Sequence, residues 1–156
     1  MKKIFHFLFL ITPTVLVFSQ MSNNGYADLK LGMTIEEAKK VVAFKTKDDI
    51  ATINFDEKKL ELTFTKNGSN TVLWTVSTTD PKTKIIDFDQ ELIGKDYETI
   101  KKLLGDKLVA ADFSEVEDEY FIYHNTPESE ENYDTSCVLQ FDEKKILKTI
   151  FASYNP

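Results

Sequence analysis

Two stretches of this chain carry the same hydrophobic pattern. In Leu31-Gly32-Met33-Thr34-Ile35-Glu36-Glu37-Ala38-Lys39-Lys40-Val41-Val42 the apolar positions after the turn are Ile35, Ala38, Val41 and Val42. In Ile93-Gly94-Lys95-Asp96-Tyr97-Glu98-Thr99-Ile100-Lys101-Lys102-Leu103-Leu104 they are Tyr97, Ile100, Leu103 and Leu104, at one constant offset without gaps. That spacing makes a single stripe along a helix. The polar positions follow suit: Gly32 falls on Gly94, Glu36 on Glu98, and Lys39-Lys40 on Lys101-Lys102. An internal repeat constrains architecture before any single residue is interpreted.

The first helix is predicted from Ile35 to about Phe44, opened by the capping box Thr34-x-x-Glu37. The second is capped by Asp96 and ends near Leu104-Gly105, where glycine suits a C-terminal cap. Between them the period changes to two. Ile50 to Phe55 is followed by a turn at Asp56-Glu57-Lys58-Lys59, then by Leu60, Leu62 and Phe64 pointing one way. Lys66-Asn67-Gly68-Ser69 is a hairpin turn into a strand with Val72, Trp74 and Val76 on one face. A linker covers Thr78 to Lys84, and Ile85, Ile86 and Phe88 form a short strand or the lead-in to the second unit. Further strands are predicted at Tyr120 to Tyr123, Ser136 to Phe141 and Ile146 to Ser153.

Phe64 and Trp74 are separated as Phe141 and Phe151 are, so the repeat extends into the hairpins. The larger offset there implies an insertion of about fifteen residues in the second copy, between Gly105 and Ser136. The expected fold class is α+β: two tandem units, each a helix followed by a three-stranded antiparallel sheet. The expected boundaries are a signal peptide at 1–19, a first repeat at 20–80, and a second at 81–156 with an acidic insertion at about 106–135.

The two helix openings and the later hairpins resemble two related groups. One is the SmpA/OmlA (BamE-like) family of small envelope proteins; the other is the β-lactamase inhibitor protein-like group, built from two such units in tandem. The resemblance covers most of the chain after residue 19, through a short and degenerate motif. It implies a small exported scaffold presenting a curved sheet and loops to another protein. The lipid-bearing N-terminal Cys of BamE-like proteins has no counterpart here, and a single Cys cannot provide the inhibitor's disulfides.

Composition adds a location. Lys2 and Lys3 precede an apolar run from Ile4 to Val17, and Val17-Phe18-Ser19 suits cleavage before Gln20. This is the pattern of a secretory signal peptide, and the run is short for a membrane span. The expected location is periplasmic or secreted, with no membrane span after cleavage. The chain has no Arg, and its formal net charge is −7, which together argue against nucleic acid.

The acid is concentrated. From Leu108 to Glu143 there is no Lys, and the stretch includes Glu115, Glu117, Asp118, Glu119, Glu128, Glu130 and Glu131 beside Tyr120, Tyr123 and Tyr133. Clustered charge speeds encounter with an oppositely charged partner, and aromatics supply contact energy. These ten residues form the candidate partner-binding set, against an unknown protein of cationic character. A solubilising loop is the plain alternative.

Catalysis has little to stand on. After residue 19 the only His is His124, and the only Cys, Cys137, alternates with Leu139 and Phe141 on an inward strand face. Clustered exposed acids share one environment and do not make the acid–base pair of a glycosidase. Their oxygens could ligate calcium, but no Asp-x-Asp-x-Asp-Gly loop is present. No cofactor or metal is implied. The expected function is a non-enzymatic binding module, inhibitor- or immunity-like. The alternative is an envelope-maintenance or outer-membrane assembly accessory protein.

Overall fold

The computed structural model describes residues 20–111, 119–123 and 135–154. The proposed signal peptide and most of the acidic insertion lie outside them.

The described residues open with three two-residue strands, β1 (Met21–Ser22), β2 (Gly25–Tyr26) and β3 (Leu29–Lys30), forming an antiparallel sheet. Helix α1 (Ile35–Val41) follows, then β4 (Ile50–Phe55), β5 (Lys58–Asn67) and β6 (Asn70–Thr78). Helix α2 (Tyr97–Leu104) leads through a short 3₁₀ turn to β7 (Leu108–Ala110), β8 (Glu119–Tyr123), β9 (Thr135–Phe141) and β10 (Leu147–Tyr154).

Both helix starts follow from their capping residues. The Glu37 amide donates to Thr34 Oγ1 at 3.3 Å, and the Thr34 amide donates back to Glu37 Oε2 at 2.8 Å, closing the capping box. In α2 the Thr99 amide donates to Asp96 Oδ1 at 3.0 Å. Hydrogen bonds from the Thr99 hydroxyl and amide hold the Asp96 carboxyl below its ordinary pKa. Helix α1 stops at Val41, short of Phe44, because Val42 adopts an extended backbone with φ −149°. Two adjacent β-branched residues favour that exit, and Phe44 then stacks on Phe64 with ring centroids 5.7 Å apart.

The expectation of two tandem helix-plus-three-strand units is overturned by the sheet. Seven strands form one continuous sheet in the order β4-β5-β6-β10-β9-β8-β7. The described residues are mostly β, with 50% in strands against 16% helical, so the helices serve as covers. The seam is the pair β6–β10, antiparallel with Phe151 opposite Ser77 and Ala152 opposite Val76. Two separate sheets would each have left a row of unpaired amides and carbonyls at these edges; joining them removes both.

A second correction concerns Trp74. The β5–β6 register slips between Thr63 and Phe64, so Thr63 faces Thr75 while Phe64 faces Leu73. Trp74 is therefore the extra residue of a bulge. The alternation flips there: Leu73 and Val76 join the main core cluster, while Val72 is buried outside it and Trp74 is half-buried. Trp74 packs against Tyr154 instead, with centroids 4.8 Å apart.

The core lies on one face of the large sheet. One row across all seven strands reads Ala51, Leu62, Val76, Ala152, Cys137, Tyr123, Leu108. All but Leu108 are buried. Ala38 from α1, Ile100 and Leu104 from α2, and Met21, Tyr26 and Leu29 from the small sheet close over this face. The short strands β1–β3 are anchored by their side chains and by backbone bonds to neighbouring segments: the Met21 amide donates to the Lys84 carbonyl at 2.9 Å, and the Ile86 amide to the Met21 carbonyl at 2.8 Å.

Candidate recognition face

Shifting one residue along each strand gives the opposite face. Its central row reads Thr52, Glu61, Ser77, Phe151, Val138, Ile122, Val109. Directly opposed residues in antiparallel strands share a face, and burial agrees: Thr52 and Glu61 are exposed, while Ser77, Phe151 and Ile122 are half-buried. Neither described helix packs here.

This row divides in two. From Thr52 to Ser77 it is polar; from Phe151 to Val109 it is apolar. In the apolar half Val138 is buried at 2% exposure, Ile122 and Phe151 flank it, and Val109 is 38% exposed on the outermost strand. The acidic segments connect three of these strands: residues 111–118 join β7 to β8, and residues 124–134 join β8 to β9. Val109, Ile122 and Val138 therefore lie on the three strands that these acidic segments join, and Phe151 continues their row on β10.

The polar half holds a groove of about 460 Å³ across β4, β5, β6 and β10, with Gln140 of β9 also in its lining. Hydroxyls line it in successive rows, with Thr63 opposite Thr75 and the Thr75 and Ser153 hydroxyls 3.2 Å apart across the seam. Lys59 and Glu61 add one charge of each sign, and Phe151 sits where the two halves meet. Nothing in the linear pattern marks this groove. Its residues are the alternate positions of correctly placed strands, and read as ordinary solvent-facing side chains until the β6–β10 seam sets them side by side.

Of the ten residues singled out from sequence, Glu115, Glu117, Asp118, Glu128, Glu130, Glu131 and Tyr133 lie outside the described residues. So does His124. Glu119 and Tyr120 belong to β8, with their backbones opposite Phe141 and Gln140. Tyr123 is a core residue. It is 3% exposed, its hydroxyl donates to the Ile86 carbonyl at 3.0 Å, and burial raises its pKa. Its ring is spent on packing β8 against the segment before α2, and cannot at the same time serve as an interface contact.

Cys137 is buried at 1% exposure, and desolvation pushes its thiol up to about 12. A thiol held neutral and out of reach is a poor nucleophile. Iodoacetamide at neutral pH should therefore leave Cys137 unmodified in the native protein and label it fully in urea, as read by intact mass. Labelling of the native protein would show that β9 opens locally. Among the described residues no group of three or more His, Cys, Asp and Glu is placed to hold a metal ion. No helix of the described residues is long and apolar enough to cross a membrane.

No family model matches the chain, and no curated protein matches it. Among solved structures, the crystal structure of a DUF4309 family protein, YjgB, from Bacillus subtilis is similar over 88% of both chains, with a TM-score of 0.50 and 9% identity. At that identity the likeness is one of fold alone. It does not bear on the resemblance of the helix openings to the envelope proteins.

Proposed function

We propose that the chain is an exported, non-enzymatic recognition module. It binds a cationic protein through the apolar half of its outer sheet face, with the acidic segments supplying complementary charge. The observation that carries this reading is the row Val109, Ile122 and Val138 on β7, β8 and β9, the strands joined by the acidic segments, continued by Phe151 on β10. Protein interfaces combine a water-excluding apolar centre with a polar rim, and a rim of one charge sign raises the rate of encounter with an opposite surface. Glu115, Glu117, Asp118 and Glu119 remain the candidate charges from the sequence, and Tyr123 belongs to the core.

The test is affinity capture from envelope and secreted fractions, with the protein starting at Gln20, the same protein carrying Val109→Arg, and one carrying Lys at 115, 117 and 119. Val109 is exposed on a short edge strand, so the first substitution should leave the circular dichroism spectrum unchanged. The expected result is a basic protein held by the wild type, released by salt, and lost at least tenfold by both variants. Retention of the same partner by both variants would move recognition to another surface.

A further inference from the structure

The polar half of the outer face carries an inference independent of that protein-binding reading. The hydroxyls of Thr52, Thr63, Ser77, Thr79 and Thr149 line the groove, and none of them is engaged by another described residue. Each can donate one hydrogen bond and accept two. Lys59 and Glu61 stand two residues apart on one strand face and cancel in charge, so the groove favours neither an anion nor a cation. Phe151, half-buried, offers an apolar ring at its margin.

The size and shape narrow the ligand further. A volume of about 460 Å³ falls within the range of small-molecule sites. The lining spans five neighbouring strands, which lie about 4.8 Å apart, giving a length of roughly 19 Å. That exceeds one sugar ring. A ligand that is neutral, elongated, rich in hydroxyls that donate and accept, and able to lay an apolar C–H face on an aromatic ring is an oligosaccharide. We infer that this groove binds a neutral oligosaccharide. The hydroxyl rows exchange hydrogen bonds with successive sugar units, Lys59 and Glu61 fix one hydroxyl each, and Phe151 takes a pyranose face.

The experiment titrates ¹⁵N-labelled protein, starting at Gln20, separately with cellotriose, maltotriose and chitotriose, following backbone amide shifts. At least one trisaccharide should give saturable shifts centred on Glu61, Thr75, Ser77 and Thr149. Ser77→Arg fills the groove from a position outside the core, and should weaken that binding at least tenfold while circular dichroism stays unchanged. Thr63→Lys, on the neighbouring row, should do the same. Val109→Arg should leave the titration unaltered, which separates this site from the protein-binding strip. Three trisaccharides without saturable shifts would overturn the inference. So would binding indifferent to both groove substitutions, or shifts produced by a basic peptide alone.

Discussion

Gly25→Ala is expected to be the most damaging single-methyl change in the molecule. Gly25 has φ +132°, and a Cβ built there would lie 2.0 Å from the Leu29 carbonyl oxygen and 3.1 Å from the Lys30 Cα. All of these are backbone atoms of the β2–β3 hairpin, so no rotamer change relieves the clash. Gly25 is also paired with both Ser22 and Lys30, which prevents a shift to either side. Ordinary backbone strain costs about 1–3 kcal/mol, and a contact this short adds to it. A loss of about 4 kcal/mol is a large part of the 5–15 kcal/mol typical of a domain. It should lower the thermal midpoint by about 10 °C or more.

Gly68→Ala is the matched comparison. It also has positive φ, +60°, but its Cβ would meet nothing within 4 Å, so only the left-handed cost of about 1 kcal/mol applies. Thermal melts of the two variants should differ severalfold in their shifts. Equal shifts would show that the β2–β3 turn can rearrange, and that Met21, Tyr26 and Leu29 do not depend on its present shape.

Phe141→Ala is expected to cost about 3–5 kcal/mol. Phe141 is fully buried and meets Tyr97 edge-on at 5.7 Å and Phe121 edge-on at 5.4 Å. Tyr97 and Phe121 are themselves 4.7 Å apart. Three rings from α2, β8 and β9 thus share one cluster, and Phe141 is its buried member. Removing it leaves a cavity that neither a strand nor the start of a capped helix can readily collapse into. Urea unfolding should show a lower midpoint with an unchanged slope, and Phe141→Leu should recover roughly half of the loss by refilling volume. A slope that falls with the midpoint would instead indicate that α2 detaches before the sheet unfolds.

Local features of this fold were legible wherever one short stretch contains its own cause. Thr34 with Glu37, and Asp96 with Thr99, announce helix starts because donor and acceptor are three residues apart. Alternation in Leu60, Leu62 and Phe64 announces a strand because one face is buried. The union of the hairpins into one sheet was not legible, since it depends on hydrogen bonds between β6 and β10, whose partners Thr75 and Ser153 are far apart in the chain. Repetition of the helix pattern suggested separate units, and alternation carries no information about which strand pairs with which. The small sheet was missed because two-residue strands have no period to detect. The bulge at Trp74 broke the period inside a strand and misassigned a face.

The candidate surface divides along the same line. Acidic crowding between Leu108 and Glu143 is visible in composition alone, whereas the apolar strip and the hydroxyl groove exist only once seven strands stand in order. Tyr123 shows how composition misleads: in the linear sequence it is one more aromatic in an acidic run, but its place in the row with Cys137 and Ala152 makes it core.

The seam strand also sets the order of events when the protein is made. β10 lies in the middle of the sheet yet follows every other strand in the chain. A polypeptide emerging amino-terminus first can form the β4–β6 hairpins and the two helices, but must leave β6 and β9 bare until residues 147–154 arrive. Until then two unsatisfied edges coexist, each a template for wrong pairing. Closure is a long-range step of the kind that makes β-rich chains slow to fold. For a chain proposed to cross a membrane before folding, that lateness is an advantage: the sheet cannot lock while its last strand is still in transit.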